Sequence, residues 1–158
     1  MVDSIQKNTK LNPKIWISDL TYTQQTVASD TIPMAIGCLA SYTEKKLPWI
    51  KPIKIFKYPE KLCSLIESEG FPDIICFANY VWNFNLSYEF TKFVKKKSPK
   101  TVVVFGGPNY PVVEQEQISL LKSKNLIDFY IVKEGEIPFV DLVKELVSKN
   151  FDIEKVKK

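Results

Sequence analysis

The sequence predicts an α/β domain built on a doubly wound parallel sheet of five strands, with order 2-1-3-4-5 and helices on both faces. Three observations carry that reading. Short apolar runs rich in β-branched and aromatic residues recur five times, at 14–20, 53–58, 73–78, 101–107 and 128–132. Between them lie stretches whose apolar residues follow helical spacing. The runs themselves, "TVVVF" above all, lack polar alternation, as expected of strands covered on both faces. Right-handed crossovers then wind the helices onto both sides, giving a flavodoxin-like or Rossmann-like sheet.

Each element has its own signature. "KIWISDL" is the first strand, followed by a helix over 32–47 that carries Ile36, Leu39, Ala40 and Leu47. Ser29, Asp30 and Thr31 are its capping candidates, with Pro33 near the first turn. "IKIFKY" leads into a short helix, 59–68, with Leu62, Leu65 and Ile66 inward. "DIICFA" precedes a helix over 86–97 with Leu86, Phe90, Phe93 and Val94 on one face. Its lysine run, "VKKKSPK", suits the negative end of that helix. "TVVVFGG" is followed by a helix over 112–124, with Pro111 at its start and Val113, Ile118 and Leu121 inward. "DFYIV" is followed by the cleanest stripe, Phe139, Leu142, Val143, Leu146 and Val147, over 137–149. Residues 1–13 read as an N-terminal tail, 14–150 as the domain, and the charged "FDIEKVKK" (151–158) as the start of a linker.

Composition excludes several classes of function. With 45% hydrophobic and 25% charged residues, the chain of 158 reads as one globular domain with a proper core. No apolar run approaches the ~18 residues of a membrane span. The N-terminus lacks the apolar core of a signal peptide, which places the protein in the cytoplasm. All 22 basic residues are lysines, so the arginine forks that read guanine and clamp phosphate are missing. Nucleic acid is therefore not an expected partner. There is no histidine, which removes the commonest general base and zinc ligand. Cys38, Cys63 and Cys76 match no metal spacing, and their apolar neighbours read as those of buried free thiols. No catalytic set and no metal site is expected.

In an open α/β sheet, ligands bind beyond the carboxyl ends of the strands. The loops in question are 20–31, 79–85, 106–111 and 133–137. "LTYTQQTVASD" is rich in hydroxyls, but a flavin phosphate cradle needs a glycine there and none is present. A phosphoacceptor receiver needs clustered carboxylates for magnesium, and Asp19 stands without an acidic neighbour. In "NYVWNFN", Trp82 reads equally as core cover or ligand wall. Two of only five glycines, Gly106 and Gly107, end the fourth strand, which points to close approach by a ligand or a neighbouring backbone. In "KEGEIP", Glu134 and Glu136 favour the positive end of the last helix and could also accept hydrogen bonds from a ligand.

Residues 80–146 resemble the C-terminal half of the cobalamin-binding domain of radical S-adenosylmethionine (radical SAM) enzymes. The resemblance rests on "WN" after the third strand, lysines before Ser98-Pro99, a fourth strand ending in "GGP", and "DFYIVKEGEIPFVDLV". It implies that the nucleotide tail of cobalamin enters the carboxyl edge of the sheet. Gly106 and Gly107 would leave room, Pro108 would shape the turn, and Glu134, Gly135 and Glu136 would line the same side. The corrin would lie over Thr21, Tyr22, Tyr80, Val81 and Trp82. Gly107→Val is expected to abolish cobalamin binding and keep the fold.

Three departures narrow the family reading. Without histidine, the D-x-H-x-x-G ligand of many cobalamin domains is missing, so the cobalt receives no protein imidazole. By alignment of the loop, Glu134 replaces the family's usual glycine, which narrows the tail pocket. The CxxxCxxC motif of the 4Fe-4S cluster is also absent. S-adenosylmethionine and the cluster are then expected in a downstream radical SAM barrel of the same chain, which would read a small-molecule or peptide substrate. The alternatives are a degenerate scaffold or docking domain without cobalamin, and a stand-alone flavin or nucleotide binder.

Overall fold

The computed structural model describes residues 12–23 and 31–157. Its all-parallel sheet has the expected order β2-β1-β3-β4-β5. The strands are β1 (Ile15–Ser18), β2 (Lys54–Phe56), β3 (Ile74–Ala78), β4 (Val102–Gly106) and β5 (Phe129–Ile131). They alternate with α1 (Met34–Lys46), α2 (Pro59–Glu69), α3 (Phe84–Lys97), α4 (Glu114–Ser123) and α5 (Glu136–Ser148). The ladders are shorter than the apolar runs, because residues such as Leu20 leave the strand while staying fully buried.

Successive side chains of a strand point to opposite faces, and here the two faces differ in size. Trp16, Phe77, Phe105 and Phe56 fill the side that also holds Leu62, Ile66, Tyr88 and Val94 of α2 and α3. Ile15, Ile17, Ile74, Cys76, Val102 and Val104 form the aliphatic side, beneath Ile36 and Ala40 of α1 and Phe139, Val143 and Leu146 of α5. The α5 stripe is buried as its spacing predicts, apart from Leu142, which is half-buried. At the amino edge, Asp128 accepts hydrogen bonds from Lys95 Nζ (2.5 Å) and Val103 N–H (2.7 Å), tying α3 to β4. The lysines of α3 do sit in its last turn.

Several local expectations are corrected. The Val113–Ile118–Leu121 stripe does not bury α4: Val113 and Ile118 are exposed and the helix has no buried residue. Leu121, half-buried, does pack on the aromatic core as expected, and Leu126 and Ile127, just beyond the helix, complete the cover. Pro111 lies three residues before the helix, and its carbonyl accepts from Gln117 Nε2 at 2.7 Å. Phe93 is exposed on the rim of α3 and meets Phe71, whereas Ser87, Tyr88 and Thr91 turn inward. Cys38 and Cys63 are exposed on the outer faces of their helices, so only Cys76 is a buried thiol, and burial pushes its pKa up.

Ser29 and Asp30 lie outside the described residues; α1 starts at Pro33 without a side-chain cap, and the Thr31 carbonyl accepts from Lys57 Nζ. The stretch from Phe151 forms a short helix, α6 (Ile153–Val156), with Asp152 as its cap. Phe151, Ile153 and Val156 pack against the aliphatic core. Among the described residues no helix is long and apolar enough to cross a membrane.

Candidate functional site

Small residues cluster at the carboxyl end of the aliphatic face. Ala78 and Gly106 are paired neighbours at the tops of β3 and β4. Gly106 continues the face of Val102 and Val104, where a side chain would project, and it has none. Across from them Gly135 is the first residue of the α5 turn, where an added Cβ would lie 3.7 Å from Leu39 Cδ1. These positions leave a cavity of about 290 Å³ between the sheet and the N-terminal turns of α1 and α5. Its inner wall is apolar: Ile17, Ile36, Val104 and Phe139, each buried, with Leu39 and Ile131 beside them. Tyr80, Lys133, Glu134 and Glu136 surround the mouth. Neither α1 nor α5 is capped by a side chain there.

Six residues singled out in the sequence line this one cavity: Tyr80, Gly106, Gly107, Glu134, Gly135 and Glu136. The others do not line it and lie on the loops after β1, β3 and β4. Tyr22, Val81, Trp82 and Pro108 are exposed at the same edge, and Thr21, half-buried, donates its N–H to the Lys57 carbonyl at 3.0 Å. Trp82 is not core cover: the residue is 62% exposed, and its ring stacks on Tyr80 with centroids 4.6 Å apart and planes 6° from parallel. Of the lining from α1, Ile36 and Leu39 were read only as the apolar face of a helix and Ala35 not at all; no local signal marks them as part of a site.

The two glycines have different reasons. Gly107 has φ +121°, and a Cβ there would come within 2.7 Å of the Asn79 carbonyl oxygen and 3.0 Å of its nitrogen. The group that comes close is therefore a neighbouring backbone. Gly107→Val attacks the fold itself, contrary to the expectation that it would spare it. At Gly106 an added Cβ meets the Ile131 carbonyl oxygen at 3.5 Å and Ile131 Cβ at 3.9 Å, both ordinary contacts. The loop before α5 also has a position of positive φ. The left-handed, glycine-favouring position is Lys133 (φ +66°), one residue before Glu134, whose exposed side chain stands at the cavity mouth.

Buried amides hold these loops, and they carried no mark in the sequence. Asn79 is fully buried and donates its N–H to the Gly106 carbonyl at 2.6 Å. Its side chain donates to the Asn109 carbonyl (2.7 Å) and the Tyr130 hydroxyl (3.0 Å), and accepts from Asn109 Nδ2 (3.0 Å). Tyr130 passes its proton-donating bond to the Gly107 carbonyl at 3.0 Å and stacks with Tyr110, centroids 3.9 Å apart. Burial pushes the Tyr130 phenol up to about 12, against the pull of the Asn79 bond, so it remains a donor at neutral pH. On the other side Asn83, also fully buried, accepts from Tyr80 N–H (2.8 Å) and donates to Asp19 Oδ1 (3.0 Å). Burial raises the Asp19 pKa above the ordinary carboxylate value, with Lys57 and Asn83 opposing.

No family model matches the chain. It is similar to the cobalamin-dependent radical SAM methyltransferase TokK of Streptomyces tokunonensis, 28% identical over 125 residues, or 77% of this chain. It is also similar to the 2-(S-pantetheinyl)-carbapenam-3-carboxylate methyltransferase of Streptantibioticus cattleyicolor, 26% identical over 129 residues, or 79% of this chain. The match spans only 18% of the length of each relative. Among solved structures, the isolated REC domain of RcsB from Salmonella enterica serovar Typhimurium superposes with a TM-score of 0.57 at 13% identity. That superposition covers 87% of this chain and 89% of the REC domain, and it shows a shared flavodoxin-like fold.

Proposed function

We propose that this chain is a cobalamin-binding module of a radical SAM methyltransferase or related radical enzyme. The observation that carries the reading is the cavity roofed by α1 and α5 over Ala78 and Gly106. The group and the residues are compatible in size. At about 290 Å³ the cavity falls just below the ~300–1,000 Å³ of ligand pockets, enough for the base of a nucleotide tail and too small for a corrin. A side chain on Gly106 would occupy part of that space. The similarity to TokK supports the same reading, since its name states cobalamin dependence.

In this proposal Gly106, Gly107, Glu134, Gly135 and Glu136 border the tail, with Pro108 shaping the turn. Thr21, Tyr22, Tyr80, Val81 and Trp82 lie beneath the corrin, with the Tyr80–Trp82 stack as its flat apolar support. Bound cobalamin supplies methyl transfer or related radical chemistry. The residues of this chain bind and orient it, exclude water from the tail, and leave the cobalt without an imidazole, since the sequence has no histidine. Catalysis, S-adenosylmethionine and the 4Fe-4S cluster belong to a downstream barrel that also reads the substrate.

Titration of the chain with hydroxocobalamin, followed by corrin absorption and calorimetry, tests the proposal. Saturable one-to-one binding without the spectrum of histidine ligation is expected. An unchanged spectrum with no heat of binding overturns it for this chain.

A further inference from the structure

Polar and apolar groups in the cavity are separated by depth. Ile17, Ile36, Val104 and Phe139 form the inner wall, none more than 3% exposed. The polar side chains lining the cavity, Tyr80, Lys133, Glu134 and Glu136, all come from the loops and helix start at the mouth. Ile17 and Val104 lie in strands paired on both sides, so their backbone groups serve the ladder. The inner wall thus presents hydrocarbon, with no side-chain donor or acceptor.

We propose that this cavity selects among cobamides by the chemistry of the tail base, accepting a dimethylbenzimidazole and rejecting adenine. The inference rests on the cobalamin reading above and concerns the same site. Both bases are flat fused-ring systems of similar size, so shape alone does not separate them. Adenine carries an exocyclic amine and further ring nitrogens. Against the side chains of Ile17, Ile36, Val104 and Phe139 these groups lose water and gain no side-chain partner, and such uncompensated burial is unfavourable. The methyl groups of dimethylbenzimidazole gain apolar contact at the same place. One unpaired polar group is enough to weaken binding by roughly ten-fold.

Three corrinoids titrated into the chain test this by absorption and calorimetry: hydroxocobalamin, its adenine-tailed analogue, and cobinamide, which has no base. Hydroxocobalamin is expected to bind tightest, with the adenine-tailed form weaker by about ten-fold or more. Gly106→Val, whose branches enter the cavity beside Ile131, is expected to lower hydroxocobalamin affinity toward that of cobinamide. Circular dichroism checks its fold, and Gly106→Ala is the milder variant should valine disturb the strand. Equal or tighter binding of the adenine-tailed form overturns base selection and leaves the cofactor reading standing. Failure of all three corrinoids to bind overturns both.

Discussion

Replacing Gly107 by alanine tests the account of the fourth strand's end most directly. The perturbation is a single methyl group. It would lie 2.7 Å from the Asn79 carbonyl oxygen and 3.0 Å from the Asn79 nitrogen. Neither atom is free to retreat, since Asn79 N–H is bound to Gly106 and its carbonyl accepts from Asn109 N–H at 3.2 Å. The backbone at φ +121° adds strain for any residue with a Cβ, of order 1–3 kcal/mol. Overpacking against fixed backbone adds about 1–3 kcal/mol more. The sum, roughly 2–6 kcal/mol, is a large share of the ~5–15 kcal/mol that holds a domain together. For a chain of this size it lowers Tm by roughly 5–20 °C. Urea and thermal unfolding followed by circular dichroism measure it, with Gly106→Ala as control, expected to cost less than ~1 kcal/mol. If Gly107→Ala and the control unfold together, the close approach of Asn79 is not what requires the glycine.

Three further outcomes follow from the same geometry. Tyr130→Phe removes the donor to the Gly107 carbonyl and the acceptor for Asn79 Nδ2, and should lower stability by about 1–3 kcal/mol in urea titrations; no change would mean that the network contributes nothing. Lys133→Gly relieves a left-handed backbone at φ +66° against a more flexible unfolded chain, and should raise stability by up to ~1 kcal/mol; a loss would show that the lysine side chain supports the loop. Because burial raises the Asp19 pKa, the folded state binds more protons than the unfolded one between 3.8 and the raised value. Its contribution is therefore full below 3.8 and lost as pH rises through the folded value. Asp19→Asn should flatten this part of the stability–pH curve and melt higher at neutral pH; an unaltered curve would refute the assignment.

The legible and illegible parts of the molecule divide along physical lines. Strand order was readable because alternating strands and helices with right-handed crossovers leave few topologies, and the α5 stripe because it rests on the periodicity of one segment, as with Phe139, Val143 and Leu146. Gly106, Gly135 and Glu136 were readable because chain order alone puts strand ends on one edge. The wall supplied by Ile36 and Leu39 of α1 was not, since it depends on how two distant helices meet. Val113 and Ile118 misled for the same reason: their spacing is helical, but nothing stands opposite them to cover them. Asn79 and Asn83 look like solvent-facing loop residues in the sequence, yet both are fully buried because each has its partners inside.

The bonds joining Asn79, Asn109, Tyr130 and Gly107 also bear on kinetics. They tie the loop after β3 to the loop after β4 and to β5. The conformational entropy of these segments is lost when the protein folds, so an incoming molecule meets a preorganised rim and owes nothing further for ordering it. Association at this part of the mouth should then proceed in a single phase governed by encounter, and differences among ligands should appear in their residence times.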